Sequence, residues 1–143
     1  MNPFMITEAG LIDYLLRVEP DFLKTLEVLK SSWSLGNSKL TTGIQFIGFS
    51  RFVSERFISG SYPNAKKVFD SMEFLLEDQN SDEKVRGLVT TCFLENMQNQ
   101  SSNGAFSPAL FVPLLGPKSR EYCKAWDEFM GGYRTPGLWD VHS

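Results

Sequence analysis

The chain of 143 residues holds one histidine, His142, placed next to its last residue. A general base needs a fixed position and a group that orients it, and residues beside a terminus are ordinarily frayed. Nucleophilic arrangements of the Ser-His-Asp or Cys-His kind are therefore excluded. Cysteine is nearly as scarce: Cys92 and Cys123 are the only two. They lack the short spacing of metal knuckles, and with His142 they supply too few ligands for zinc. Both fall on apolar faces of expected helices, where a thiol acts as a small hydrophobe, so buried free thiols are expected rather than a disulfide. Neither G-x-x-x-x-G-K-[ST] nor G-x-G-x-x-G occurs; Gly43 and Gly48 have the first spacing but no Lys follows. A calcium loop is also missing. No cofactor and no metal are expected.

Long apolar runs are absent too, none approaching the roughly 20 residues of a membrane-spanning helix. The opening Met1-Asn2-Pro3-Phe4-Met5-Ile6-Thr7-Glu8 has no basic stretch and an early acid, unlike an export signal. A soluble cytoplasmic protein without membrane contact is the expectation. Dense positive charge is lacking as well. The net charge is −3, and the basic groups Lys66-Lys67, Lys84 with Arg86, and Lys118 with Arg120 and Lys124 are interleaved with acids. Nucleic-acid binding, which needs a basic face, is not expected.

What the chain does have is apolar residues at helical spacing. They make up 42% of it, with twelve phenylalanines, enough for a bulky core without a disulfide or structural metal. Ile6, Leu11, Ile12, Leu15 and Leu16 form a first stripe with Thr7 as its cap. Glu19-Pro20-Asp21 breaks it and opens a second helix with Phe22, Leu23, Leu26 and Leu29 inward. A third, over 41–59, follows the loop signal Gly36-Asn37-Ser38, with Phe46, Phe49, Val53 and Phe57 as its stripe and Gly43 and Gly48 as a cost. Helices are read over 63–76, then from a Ser81 cap through Val85, Val89, Phe93 and Met97, and over 118–130 with Tyr122, Cys123, Trp126, Phe129 and Met130 inward. Residues 98–104 read as a polar loop and Ser107-Pro108 as a short helical turn. Residues 132–143 read as an irregular tail, with Leu138 and Trp139 able to pack back. The expected fold is one all-α domain over 1–143, built of antiparallel helix pairs in a compact bundle or a short right-handed helical-repeat arc.

Two features stand out as functional candidates. One is an acidic corner, Glu73, Glu77, Asp78, Asp82 and Glu83, read as a partner-binding site where negative charge speeds encounter with a basic protein. Its bland alternative is a solvated loop. The other is the tail from Tyr133 to Trp139, whose Tyr, Arg and Trp are frequent interface residues. Carboxylates that share a helix, Asp82, Glu83 and Glu95 on one and Asp127-Glu128 on another, leave an acid-dependent enzyme as a lesser reading.

Within residues 62–138, three stretches carry a family likeness: Cys92-Phe93-Leu94-Glu95-Asn96, the run from Leu115-Gly116-Pro117-Lys118 through Trp126-Asp127, and Thr135-Pro136-Gly137-Leu138. This segment resembles a bacterial family of small helical proteins of unassigned activity, similar to immunity proteins that neutralise a competitor's toxin in contact-dependent inhibition. The resemblance implies a helical fold, no catalytic residues, and a cognate protein toxin as partner; the acidic corner makes a basic one the expectation. Glu95-Asn96 is expected to bond backbone near the Gly116-Pro117 turn. A helical adaptor or regulatory module binding a cellular protein or peptide is the alternative.

Overall fold

The computed structural model describes residues 5–34, 36 and 39–139. His142 and most of the 36–38 loop signal lie outside the described residues. The helices are α1 (Glu8–Val18), α2 (Phe22–Trp33), α3 (Thr42–Ser59), α4 (Ala65–Leu75), α5 (Glu83–Leu88), α6 (Glu95–Ser102) and α7 (Pro117–Phe129). A π-helical segment, Val89–Leu94, joins α5 to α6 without a break, and 3-10 turns occupy Pro108–Leu110 and Val112–Leu114. Among the described residues there is no strand, only a single bridge between Ile6 and Ser81. The fold is all-α, and α1 packs on α2, α3, α4 and α5. Of the two expected arrangements, the compact bundle fits these contacts.

The centre is aromatic because α3 buries Phe46, Phe49, Phe52 and Phe57, and α2, α4 and the π segment add Phe22, Phe69 and Phe93 to them. Phe49 meets Phe22 edge-on with centroids 5.0 Å apart, Phe93 meets Phe69 at 5.3 Å, and Phe69 continues to Phe111 at 6.1 Å. Such edge-to-face and offset contacts add about 0.5–1.5 kcal/mol each beyond burial. Gly48 is explained by packing: a Cβ there would stand 3.2 Å from Leu29 Cδ2, so glycine lets α3 approach α2. Cys92 and Cys123 are free and buried, as expected.

Several local expectations are corrected. Ser81 does not cap α5; Asp82 does, accepting from Val85 N at 2.9 Å, while the buried Ser81 hydroxyl donates to Leu75 O. The loop expected over 98–104 is helical through Ser102, because Gln98 and Ser101 turn inward and are bonded there. Leu23, Phe129 and Met130, placed inward by the stripe reading, are exposed. The buried positions of α7 are Ser119, Cys123 and Asp127, every fourth residue.

The π segment has a positional consequence. Thr90 and Thr91 both donate their hydroxyls to Gly87 O, at 2.9 and 2.7 Å, where the helix widens. A wider turn takes up extra backbone, so the buried face slips along the sequence. It runs through Val85, Val89 and Phe93, then resumes at Met97, Gln98 and Ser101. A regular helix of 3.6 residues per turn would have brought Asn96 and Gln100 to that face instead.

Candidate partner-binding site

The structure distributes the five acids of the corner between helix ends and solvent. Glu73 reaches α7: its carboxylate accepts from Lys118 N and Ser119 N, each at 2.9 Å, and from the Ser119 hydroxyl at 2.9 Å. It is therefore a cap supplied in trans, satisfying N–H groups that a helix start leaves free and meeting the positive end of the dipole. Asp82 caps α5. Asp78 lies 3.6 Å from Arg86 Nε. Glu77 and Glu83 make no side-chain bond among the described residues, and Glu83 is exposed. The outward acidic surface is thus Glu77, Asp78 and Glu83, with Glu73 and Asp82 engaged in the fold.

Glu95-Asn96 does not bond the Gly116-Pro117 turn; Glu73 holds that position. Glu95 accepts from the Tyr122 hydroxyl, and Asn96 Nδ2 donates to Cys92 O at 2.9 Å and to the Ser50 hydroxyl at 3.3 Å. Burial of Tyr122, with the Glu95 carboxylate beside it, pushes the phenol up to about 12.

A more developed site lies where α6 and α7 end. Asp127 is 2% exposed. Its Oδ1 accepts from Gln98 Nε2 (3.0 Å) and the Thr135 hydroxyl (2.8 Å), and its Oδ2 from Thr135 N (2.7 Å) and Trp139 Nε1 (2.8 Å). This clasp folds the tail onto the helices, and Leu138 is fully buried under it, so the tail packs back as expected. Gln98, 3% exposed, also donates to Cys123 O (2.9 Å) and Thr135 Oγ1 (3.3 Å), whereas its buried Oε1 has no hydrogen-bond partner among the described residues.

Beside the clasp is a cavity of about 290 Å³. Gln98, Asn99 and Ser102 line it from α6, and Trp126, Asp127 and Met130 from the end of α7, with Tyr133 and Thr135 from the tail. Around its mouth the side chains are apolar and wet: Phe129 is 77% exposed, Met130 53% and Tyr133 48%. Phe129 stacks on Trp126, with centroids 5.4 Å apart, so the two rings form one platform. Isolated exposed apolar residues are ordinary, but a contiguous aromatic group is characteristic of contact surfaces. Sequence reasoning missed this site because it assigned those aromatics to the core. The signal was Asp127, an acid at a buried spacing from Ser119 and Cys123.

Residues 12–131 match the model of a family described as a domain of unknown function, DUF7674. The chain belongs to this family. The match takes in α2 to α7 and most of α1, hence both walls of the cavity that come from helices, while the clasped tail lies beyond it. No curated protein and no solved structure matches the chain. Among the described residues, no helix is long and apolar enough to cross a membrane, and no group of His, Cys, Asp and Glu is arranged to hold a metal.

Proposed function

We propose that this DUF7674 chain is an immunity-type protein that binds a cognate bacterial toxin stoichiometrically in the cytoplasm and neutralises it. The observation that carries the reading is the exposed group of Phe129, Met130 and Tyr133 at the end of α7, with Phe129 stacked on the half-buried Trp126. Aromatic residues and methionine are enriched where proteins meet, and a few such anchors dominate binding energy. Net charge and the outward acids Glu77, Asp78 and Glu83 favour a basic partner. The toxin assignment itself rests on the resemblance of residues 92–96, 115–127 and 135–138 to immunity proteins.

Co-expression with the product of the adjacent upstream gene is the test. The expected outcome is restored growth of the producing cells and an equimolar complex on size-exclusion chromatography. Phe129→Asp, at an exposed position, should weaken that complex by on the order of 2 kcal/mol with no change in thermal stability. Absence of both protection and complex rejects the reading, and capture of a housekeeping protein in its place favours an adaptor.

A further inference from the structure

The cavity between α6 and α7 combines four properties that select one kind of occupant. Both helices end on it, since Gln98, Asn99 and Ser102 belong to the last turns of α6, and Trp126 and Asp127 to the last turn of α7. Each helix C-terminus carries about half a negative charge, and two converge here. Asp127 adds a full charge that no ion pair neutralises among the described residues. The neighbouring cations Arg134 and Lys124 lie over the Trp139 ring, at 4.3 and 5.7 Å from its centroid. Trp126 and Tyr133 supply aromatic faces, which attract a cation.

The fourth property is directional. Gln98 lines the cavity, and its Oε1 is a buried acceptor with no donor among the described residues. The amide cannot turn over to hide that oxygen, because Nε2 is held by Cys123 O, Asp127 Oδ1 and Thr135 Oγ1. A reversed amide would set its oxygen against the first two, both acceptors that donate nothing.

We infer that this cavity receives the guanidinium of an arginine side chain from a protein partner. It rests on the proposed function only for where that arginine comes from. A guanidinium is flat enough to lie on an aromatic ring, weakly hydrated enough to leave water, and carries N–H groups to direct at an amide oxygen; a lysine ammonium is compact and strongly hydrated. The volume, at the lower edge of the roughly 300–1,000 Å³ of small-molecule sites, admits one side chain and not a nucleotide.

The test is an NMR titration of the isotope-labelled full chain with N-acetyl-arginine amide, paired with N-acetyl-lysine amide. Arginine should move the Gln98 side-chain amide and the Trp126 indole N–H, and lysine should bind roughly tenfold more weakly. Tyr133→Ala, half exposed and outside the clasp, should lower arginine affinity several-fold with an unchanged melting temperature. Equal response to lysine, shifts centred on Glu77, Asp78 and Glu83, or no shift at all would each overturn the assignment. Arginine binding at Gln98 without growth protection would uphold the cavity and remove the toxin as its partner. Growth protection without arginine binding would do the reverse.

Discussion

Asp127 is held in a buried position by four donors that surround its carboxylate. Hydrogen bonds to a charged group each contribute about 1.5–3 kcal/mol, and a buried partner left unpaired adds a penalty. Asp127→Asn turns one oxygen into an amine that faces donors. The expected loss is about 3 kcal/mol of stability, read from the denaturation midpoint. The tail should loosen with it, and trypsin should then cut after Arg134 in the variant well before the wild type. In the sequence this residue is one of two adjacent acids on a helix, and hydropathy patterning assigns such acids to solvent. Its spacing of four from Cys123 is the one local mark that separates Asp127 from the exposed Glu128; the donors that hold it come from residue 98 in another helix and from residues 135 and 139 in the tail.

At the scale of elements, α4 and α7 are joined by Glu73 and Gly116. A Cβ at Gly116 would lie 2.5 Å from Glu73 Cγ and Cδ, so glycine is what lets the carboxylate reach the helix start. Glu73→Ala should cost about 1–2 kcal/mol, as loss of a helix cap does, with Glu73→Gln milder because it keeps an acceptor. Gly116→Ala should act through the same contact. The double variant Glu73→Ala with Gly116→Ala should therefore be less destabilised than the sum of the singles in a thermal-unfolding cycle. The helices themselves were legible, since apolar spacing, the Glu19-Pro20 break, Gly60 just past the end of α3 and the Gly116-Pro117 turn that opens α7 are all local signals. The inward face of α7 was not. Two of its three buried residues are polar, and an apolar stripe is then drawn through Trp126, Phe129 and Met130, of which the fold half-buries the first and leaves the other two in water. The same blindness turned the end of α6 into a loop, because Gln98 and Ser101 look like solvent residues until their partners are known.

For the whole molecule, alkaline pH is the condition that reports on burial. Tyr122 is raised to about 12, first by burial and then by its bond to Glu95. Tyr62 is raised further, by burial and its bond to the buried Glu19, and burial likewise raises the Cys123 thiol. An unfolded phenol ionises near pH 10. Between about pH 10 and 12 the unfolded chain therefore binds fewer protons than the folded one, and stability falls with rising pH. Stability is full below the unfolded thiol value of about 8.5 and is lost as the pH rises toward the folded values. Melting temperatures measured from pH 7 to 11.5 should begin to fall near 8.5 through Cys123 and more steeply above 10 through the phenols, and Tyr122→Phe should flatten the second part of that decline.

The widened turn at Val89–Leu94 makes the site depend on how many residues the chain has as well as on which ones. The turn absorbs one residue more than a regular helical turn, so a family member one residue shorter here would run through as a regular helix and still set its counterpart of Gln98 on the face shared with Asp127. A chain of the same length whose turn closed to regular spacing would instead rotate α6 by about 100°, bring Asn96 and Gln100 inward, and take the amide wall from the cavity. A gap placed in this stretch is therefore what pairs residues that occupy the same place.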